Sequence, residues 1–505
     1  KNIKLKTESD TEVLLELYAL EGARMLNKLK GMFAFVIWDK KNKELFAARD
    51  PYGIKPLYIG LNADGVILAS QVKTIISTKF IDQEEDLYSL FSFYNFGFVI
   101  EPRTWFKNIK SLKPGSFIKV KNANYIIEKN WYNFNENWIN ADKSKFEKRK
   151  NLKNKIIKSI NNSVDRHLIS DVPIGIFLSS GIDSSLLAGI ISQKTKKKIK
   201  AITISFEEYE NLEYDEVSKA KKIARKFGLE HHIFKVTKEE FKNDFPYIIK
   251  AMDQPTIDGI NVWYASKAAN KLNLKVVISG LGGDELFFGY NHFKTIPLLF
   301  KLNNYIKKIP ILFQLYNLTL KLISKIKSDI RINTITSSKS ILDLFILKRT
   351  VIPLSEIIKH KTILKKISKE FYEKTFNRKE NYTFRNKKIY LSNLESIYYL
   401  RNQLLRDSDW ASMYHGVELR TPLVDVTLLE DLSELMFKYS KYSDKKIIKS
   451  SFSNILSREL NSKKKIGFQT PVKEWIKDIS NYRFSKQNNY WYNYMEIVSN
   501  LINKK

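Results

Sequence analysis

Two β-branched runs in this chain each lead through a short polar turn into an apolar helix. The first run covers residues 174–178 and continues through a turn over 179–185. The second covers residues 275–279 and continues through a turn over 280–285. Strands followed by helices build parallel sheets with crossover connections, and such sheets gather the loops at the strand ends in one crevice. The chain is therefore expected to contain an open α/β sheet with its chemistry in these two turns.

The first turn has the composition of a phosphate-binding loop. Its serines supply hydroxyl donors, and Gly181 lets a ligand come close to the backbone. The free N–H groups and the dipole of the following helix favour an anion at the same place. Asp183, inside the turn, is placed to hold a metal ion. The simpler alternative is a serine-capped helix that follows a strand.

Other loop motifs do not fit the first turn. A Walker A loop ends in Gly-Lys-Ser/Thr, and this turn contains no lysine. A nucleophile elbow needs glycine two residues before its serine, where Ser179 has Phe177. The pattern that remains is Ser-x-Gly-x-Asp-Ser.

The second turn combines three glycines with two acids. In one crevice, Asp183 and Asp284 would converge, and two carboxylates with phosphate oxygens are a usual magnesium environment. A dinucleotide fingerprint is excluded because its third glycine would fall on Glu285. Taken alone, this segment also fits a glycine-rich turn with an acidic helix cap.

Composition limits the remaining possibilities. The 505 residues contain no cysteine, so disulfides, cysteine zinc sites and cysteine nucleophiles are excluded within this sequence. No apolar run is long enough to span a bilayer, and lysines interrupt residues 296–326, which predicts amphipathic helices there. We expect a cytoplasmic protein.

The net charge of +32 raises the question of an anionic partner. Lysine is spread along the chain with isoleucine and asparagine, and no basic motif with interleaved aromatic residues is present. We therefore expect neither a nucleic acid nor a membrane partner. Attraction to an anionic surface stays open as an alternative, and so does a homodimer.

The pattern changes along the chain. Residues 1–125 contain short β-like runs and one helical period over 11–28, and residues 126–150 are polar, which is typical of a linker. From residue 151 strands alternate with helices, and beyond about residue 290 the pattern is mostly helical.

The ordered motifs resemble those of the glutamine-dependent asparagine synthetase family and its carboxylate-amidating relatives. The first turn is similar to the family's pyrophosphate loop, with Ser180 in place of a glycine. The other matching segments are residues 9–12, 31–35, 48–58, 214–216, 280–285, 412–425 and 465–468. The implied fold is an incomplete α+β N-terminal-nucleophile glutaminase-type domain over 1–125, a linker over 126–150, and an α/β pyrophosphate-loop synthetase domain with a parallel sheet and many helices over 151–505.

The resemblance implies a ligase that uses ATP and Mg²⁺. AMP is transferred from ATP to a carboxylate, most simply that of aspartate, pyrophosphate leaves, and glutamine-derived or free ammonia attacks the acyl-adenylate. Asp183 and Asp284 are the implied metal ligands, and Lys465, Asp284 and Glu285 the implied catalytic residues. For Lys465, a surface lysine in a basic run over 463–465 is the alternative. The implied ATP- and pyrophosphate-binding residues are Leu178, Ser179, Ser180, Gly181, Asp183, Ser184, Ser185, Ser205, Phe206, Ser279 and Gly280.

The first departure from the family pattern concerns glutamine hydrolysis. The family's nucleophile is an N-terminal cysteine, whereas position 1 here is Lys1 and the sequence has no cysteine. Of the matched glutamine-binding positions only Asp10 is present. We expect that the sequence is truncated upstream; reliance on external ammonia is the alternative.

The second departure is Leu281, which stands where asparagine synthetases usually carry glutamate. Leucine can neither accept a proton nor form a hydrogen bond. The change resembles a branch linked to surface-polysaccharide synthesis, in which the acceptor would be a sugar uronic acid. Asp258 and Asn261 are candidate acceptor-binding residues, or alternatively acids and amides that cap the next helix. A nucleic-acid-directed or non-catalytic relative is the third hypothesis.

Overall fold

The computed structural model describes residues 5–121, 125–144, 151–195, 197–210, 212, 216–327, 329–376, 382–442, 444–456, 470–476 and 490–503. The chain divides into two compact units. One comprises Lys1–Gln83 with Asn108–Phe134, and the other comprises Glu84–Lys107 with Asn135–Lys505.

The first unit is built on two antiparallel sheets, in the strand orders β1-β2-β6-β7 and β4-β3-β5. Apolar residues that alternate along β2 and β6 fill the core, among them Phe46 and Ile118. The strands are β1 Ala34–Asp39, β2 Glu44–Arg49, β3 Tyr58–Asn62, β4 Gly65–Ala69, β5 Ile109–Ser111, β6 Ser116–Lys121 and β7 Tyr125–Asn130. The helices are α1 Asp10–Glu21, a 3-10 helix Gly22–Lys28 and α2 Val72–Ser77.

The second unit contains a five-stranded parallel sheet in the order β10-β9-β8-β11-β12. Its strands are β8 Ile174–Phe177, β9 Lys200–Phe206, β10 Glu230–Val236, β11 Val276–Ile278 and β12 Glu418–Arg420. Helices up to the end of β11 are α3 Leu87–Phe96, α4 Phe134–Lys143, α5 Leu152–His167, α6 Ile182–Lys194, α7 Val217–Lys226, α8 Lys238–Ala251 and α9 Ile260–Lys271, with a 3-10 turn Glu207–Tyr209. The predicted parallel sheet with many helices is confirmed.

The part of the second unit beyond β11 is largely helical, as predicted. Its helices are α10 Gly283–Leu286, α11 His292–Ile306, α12 Pro310–Lys327, α13 Ile341–Arg349, α14 Leu354–His360, α15 Ile363–Phe376, α16 Lys387–Leu394, α17 Arg406–Tyr414, α18 Val426–Tyr439, α19 Lys446–Ser451, α20 Val472–Trp475 and α21 Tyr490–Ile502. A π-helix Glu395–Leu405 and 3-10 helices Ile330–Thr334 and Pro422–Val424 complete it. Among the described residues, no helix is long and apolar enough to cross a membrane.

The structure differs from the predicted organisation around residues 84–150. The segment expected to be a linker, 126–150, contains β7, paired along its length with β6, and α4. Its polar composition concealed two apolar anchors in α4, the buried Phe134 and Trp138. Residues 84–107, expected in the first domain, belong to the second unit because the ring of Phe91 in α3 packs 4.9 Å from that of Phe371. Strand β12 was not expected either.

Candidate functional site

The two predicted turns lie side by side at the point where the strand order reverses. From β8 the chain proceeds through α6 to β9 on one side, whereas β11 pairs with β8 on the other. Both turns leave the carboxyl ends of these neighbouring strands. Such a switch point is where open α/β sheets form their ligand-binding crevice.

Hydrogen bonds among its own residues, together with one to Glu216, shape the first turn. The hydroxyls of Ser179 and Ser184 lie 2.9 Å apart, and the Gly181 N–H donates to Ser179 Oγ over 3.1 Å. Ser185 donates to the Gly181 carbonyl over 2.7 Å, and Ser180 donates to Glu216 over 3.1 Å. The first N–H groups of α6 have no acceptor within the helix and face this turn. The turn is therefore shaped before any anion arrives.

The second turn approaches the first so closely that glycine is required. A Cβ placed on Gly283 would collide with the Asp183 carboxylate, and one on Gly280 would lie 2.9 Å from Asp183 Cβ. Gly289 is under the same constraint, since its Cβ would overlap both Asp284 and the stem of Lys445. The glycines of this segment thus allow two carboxylates from different turns to come together.

Lys445 lies between these two carboxylates. Its ammonium forms an ion pair with Asp183 and lies 2.6 Å from Asp284 Oδ1. The lysine side chain is 4% exposed, whereas those of Asp183 and Asp284 are 15% and 13% exposed. Burial alone would lower the pKa of Lys445, but the two acids raise it to about 12. The two acids therefore favour the protonated, cationic form of Lys445.

The backbone at Lys445 is unfavourable for a lysine. Its φ is 56°, in the left-handed region, and it caps the N-terminus of α19, where the helix dipole disfavours a cation. Strain of this kind persists where the surrounding structure imposes it, and it is concentrated at functional sites. Here the two carboxylates compensate for both effects.

Glu285 points away from this cluster into the protein. It is 2% exposed, and its carboxylate accepts a hydrogen bond of 2.6 Å from the Tyr290 hydroxyl. Burial, together with the charge of Asp284, raises the pKa of Glu285 to about 7. Next to this pair, the half-buried Arg349 forms an ion pair with the buried Glu395. The catalytic role predicted for Glu285 stays a prediction.

The remaining predicted site residues are distributed as follows. Leu178 directly follows β8, and its N–H donates to the Ile202 carbonyl over 2.8 Å. Ser279 directly follows β11, and its N–H donates to the Arg420 carbonyl over 2.8 Å. Ser205 and Phe206 end the neighbouring β9, where the Phe206 ring packs against Trp475. These strand ends border the same crevice.

The predicted acceptor residues lie at the start of α9. Asp258 accepts a hydrogen bond from the Gly259 N–H over 2.8 Å, and Asn261 accepts one from the Val262 N–H over 2.8 Å. Burial raises the pKa of Asp258. Asp10, in the first unit, is exposed and is the first residue of α1, directly after the N-cap residue Ser9. The binding roles of all three stay predictions.

Lys465 and the rest of its motif, residues 465–468, lie outside the described residues, as do Tyr214 and Asp215. Lys445 was not among the site residues predicted from the sequence. One signal was available, because Lys445 and Lys446 directly precede an apolar helical run, and lysine is disfavoured at a helix N-terminus.

The carboxylate pair fits a magnesium ion that also binds phosphate. Mg²⁺ is commonly held by one or two carboxylates while substrate phosphates and water complete its coordination. Asp183 and Asp284 provide such a pair next to the loop that suits phosphate. Among the described residues no group of three or more histidine or acidic side chains is arranged to hold a metal, so a bound ion would depend on substrate oxygens.

In comparisons with known proteins, both regions of the chain match a protein family. Residues 155–503 match the family model for asparagine synthase, and residues 1–132 match that for a glutamine amidotransferase domain. Asparagine synthetase [glutamine-hydrolyzing] 1 of Bacillus subtilis (strain 168) is 30% identical over 497 residues, which cover 95% of this chain and 74% of that protein. Amidase chyE of Penicillium rubens is 29% identical over 306 residues, covering 57% of this chain and 44% of the amidase.

Proposed function

This chain belongs to the asparagine synthase family, and we propose that it uses ATP to activate a carboxylate as an acyl-adenylate, which ammonia then converts to an amide. Its two matched regions are those of a glutamine-dependent ligase. The observation that carries the proposal is the contact of Lys445 with both Asp183 and Asp284 beside the first turn. This arrangement combines an anion-binding loop, two acids and one cation at a sheet switch point.

In the proposed reaction the acceptor carboxylate oxygen attacks the α-phosphorus of ATP. The bond to the β-phosphate oxygen breaks, and pyrophosphate leaves with its electron pair. Ammonia then attacks the acyl carbon, loses a proton and displaces AMP. Each turnover consumes one carboxylate, one ATP and one ammonia and yields one amide, one AMP, one pyrophosphate and one proton.

The residues of the crevice suit the first of these steps. The N–H groups at the start of α6 and the hydroxyls of the first turn would hold the pyrophosphate as it leaves. Lys445 would offset the charge that accumulates on the leaving oxygen, and the two neighbouring acids raise its pKa and so favour its charged form. Asp183 and Asp284 would hold Mg²⁺, which when bound neutralises phosphate charge. Lys465 remains a second candidate for charge stabilisation.

Glutamine would supply the ammonia through the first region. The 505 residues contain no cysteine, however, so the nucleophile of the family's glutaminase is absent from this sequence. Free ammonia therefore replaces glutamine in an assay of these 505 residues, and Asp10 would contact the amino group of glutamine beside that nucleophile.

Aspartate is the proposed acceptor, and a sugar uronic acid is the second candidate. The observation that favours the second candidate is Leu281, which follows Gly280 in the second turn and presents an apolar side chain where the family usually has glutamate. Asp258 or Asn261 would contact the acceptor in either case.

A pyrophosphate-release assay tests the proposal. The chain is supplied with ATP, Mg²⁺, ammonia and a panel of carboxylates that includes aspartate and uronic acids. Release with aspartate supports the first acceptor, and release only with a uronate supports the second. No release with any acid from folded protein would contradict both.

Asp183→Asn should abolish this release, because it removes one of the two acids of the crevice. Asp171→Asn is the matched control, since Asp171 is an exposed acid just before the same strand, β8. Equal turnover in the two variants would contradict the assignment of Asp183.

A further inference from the structure

The hairpin formed by α11 and α12 exposes its most apolar face to solvent. In α12 the exposed stripe consists of Ile311, Leu315, Leu318, Leu322 and Ile326. These positions recur at intervals of three and four residues, so they share one face of the helix. Their exposure is high, reaching 72% at Ile311 and 82% at Ile326.

The opposite face of α12 packs on the protein and is less apolar. Leu320 and Ser324 are buried there, and the Ser324 hydroxyl donates to the Asp329 carbonyl over 2.9 Å. Phe313 and Tyr316 on the same side are half-buried. In an ordinary surface helix the apolar stripe faces the core. Because α12 reverses this order, its exposed stripe is not explained by the packing of the helix.

Helix α11 extends the apolar surface. Leu298, Leu302 and Tyr305 are exposed at four- and three-residue spacing, and Leu298 is 67% exposed. The buried face of α11 is fixed by Phe293 and Ile296, and Asn303 Nδ2 donates to the Ile335 carbonyl over 2.7 Å. The hairpin is therefore anchored on one side and presents leucine and isoleucine on the other.

The charge of the hairpin has a single sign. Residues 292–327 contain no aspartate or glutamate, and their charged side chains are Lys294, Lys301, Lys307, Lys308, Lys321, Lys325 and Lys327. A second copy of this chain would bring equal positive charge against it, which disfavours self-association through this face. A nucleic acid would meet leucine and isoleucine where phosphates need polar donors.

We infer that the α11–α12 hairpin docks on the surface of an anionic lipid membrane. Leucine and isoleucine would enter the boundary between headgroups and acyl chains, while the surrounding lysines bind anionic headgroups. The helices would lie in the interface. The inference is independent of the acceptor and of the proposed chemistry. It takes up the alternative, left open by the sequence, of attraction to an anionic surface.

Vesicle co-sedimentation of the full chain tests the inference. We expect binding to mixed phosphatidylglycerol–phosphatidylcholine vesicles, much weaker binding to pure phosphatidylcholine, and release at a salt concentration that shortens the Debye length from about 10 Å to about 3 Å. Equal binding to both vesicle types, or no binding to either at low salt, would overturn the inference.

Two variants separate the apolar and the electrostatic contributions. The triple change Leu315→Asn, Leu318→Asn and Leu322→Asn should weaken vesicle binding by at least about tenfold, and Lys321→Gln with Lys325→Gln should remove most of the preference for anionic lipid. All these side chains are exposed, so folding should be retained. Ile169→Asn, Val172→Asn and Tyr247→Asn form the matched control, because they remove exposed apolar side chains elsewhere.

The control variant should bind vesicles as the unaltered chain does. Undiminished binding by the leucine variant would overturn the inference. Two other results would also overturn the inference if vesicle binding were absent. One is a dimer in size-exclusion chromatography that depends on these leucines, and the other is binding of RNA. Pyrophosphate release measured without lipid should be the same in all variants, which keeps this test distinct from that of the proposed function.

Discussion

The Arg49–Asp50 turn of the first unit and the Asp183–Asp284–Lys445 cluster of the second use the same kinds of charge in different ways. The guanidinium of Arg49 donates to the carbonyls of Gly53 and Lys55, each over 2.8 Å, and to Ser111 Oγ over 2.6 Å. The carboxylate of Asp50 accepts from the N–H groups of residues 52–55. These charges hold the backbone of a turn, and both residues are at most 2% exposed.

In the second unit the charges contact one another and not only the backbone of their own turn. Asp183, Asp284 and Lys445 come from three separate segments, and the two acids keep part of their surface exposed. The Arg49–Asp50 segment and the two turns that carry Asp183 and Asp284 are equally recognisable in the sequence, whereas Lys445 lies outside any such motif. The comparison shows that a recognisable charged motif indicates chemistry when charged side chains from different elements contact one another and part of their surface stays exposed to solvent.

The strongest test of this contrast is Lys445→Met. Loss of the cation should reduce pyrophosphate release by at least about a hundredfold, because the leaving group loses an oriented positive charge. The rate of release at saturating ATP is the measurement. Lys446→Met is the control, since Lys446 is the exposed next residue and should retain the rate. Comparable losses in both variants would contradict the role of Lys445.

Asp50→Ala should affect stability instead of chemistry. It leaves several buried N–H groups without their acceptor, which should cost roughly 2–4 kcal/mol of the first unit's free energy of unfolding. Hydrogen exchange at the β2 and β6 amides measures this cost, and ammonia-dependent pyrophosphate release should persist. Asp64→Asn, at an exposed turn, should change neither quantity. Loss of pyrophosphate release without loss of amide protection would contradict the structural role of Asp50.

Gly283→Ala tests the close approach of the two turns. The new Cβ collides with the Asp183 carboxylate and should lower the rate of release by about tenfold, since small displacements of reacting groups are costly. Gly228→Ala is a suitable control, because it introduces strain at a φ of 63° without any neighbour within 4 Å. If both variants retained full activity, the tight fit of the turns would have no catalytic consequence.

The smallest effect concerns Glu285, whose pKa is raised to about 7. Between pH 4.5 and 7 the unfolded carboxyl loses its proton while the folded one keeps it, so stability should fall as pH rises through this range. In Glu285→Gln, the decrease in the free energy of unfolding between pH 5 and pH 7.5 should be smaller by up to about 3 kcal/mol, as measured by urea unfolding at both pH values. An unchanged slope would contradict the raised pKa.

Local pattern was sufficient to predict the parallel sheet, the helical region beyond residue 290 and the positions of the two turns. The domain boundaries could not be predicted from local pattern, because α3 is assigned to its unit by the packing of Phe91 on Phe371, which is distant in sequence. Lys445 was not predicted as part of the site, since its contacts with Asp183 and Asp284 bridge distant parts of the sequence. Likewise, the exposed stripe of α12 looks in sequence like an ordinary core-facing stripe, and only the packing shows which face is covered.

The central claim is that this cluster serves the adenylation of a carboxylate. The most direct measurement labels both oxygens of the accepted carboxylate with ¹⁸O and follows the label during turnover with ATP, Mg²⁺ and ammonia. Transfer of one ¹⁸O atom to AMP is the predicted result, because the acceptor oxygen bonds to the α-phosphorus and leaves with AMP. Label in inorganic phosphate, or AMP without label, would contradict the account.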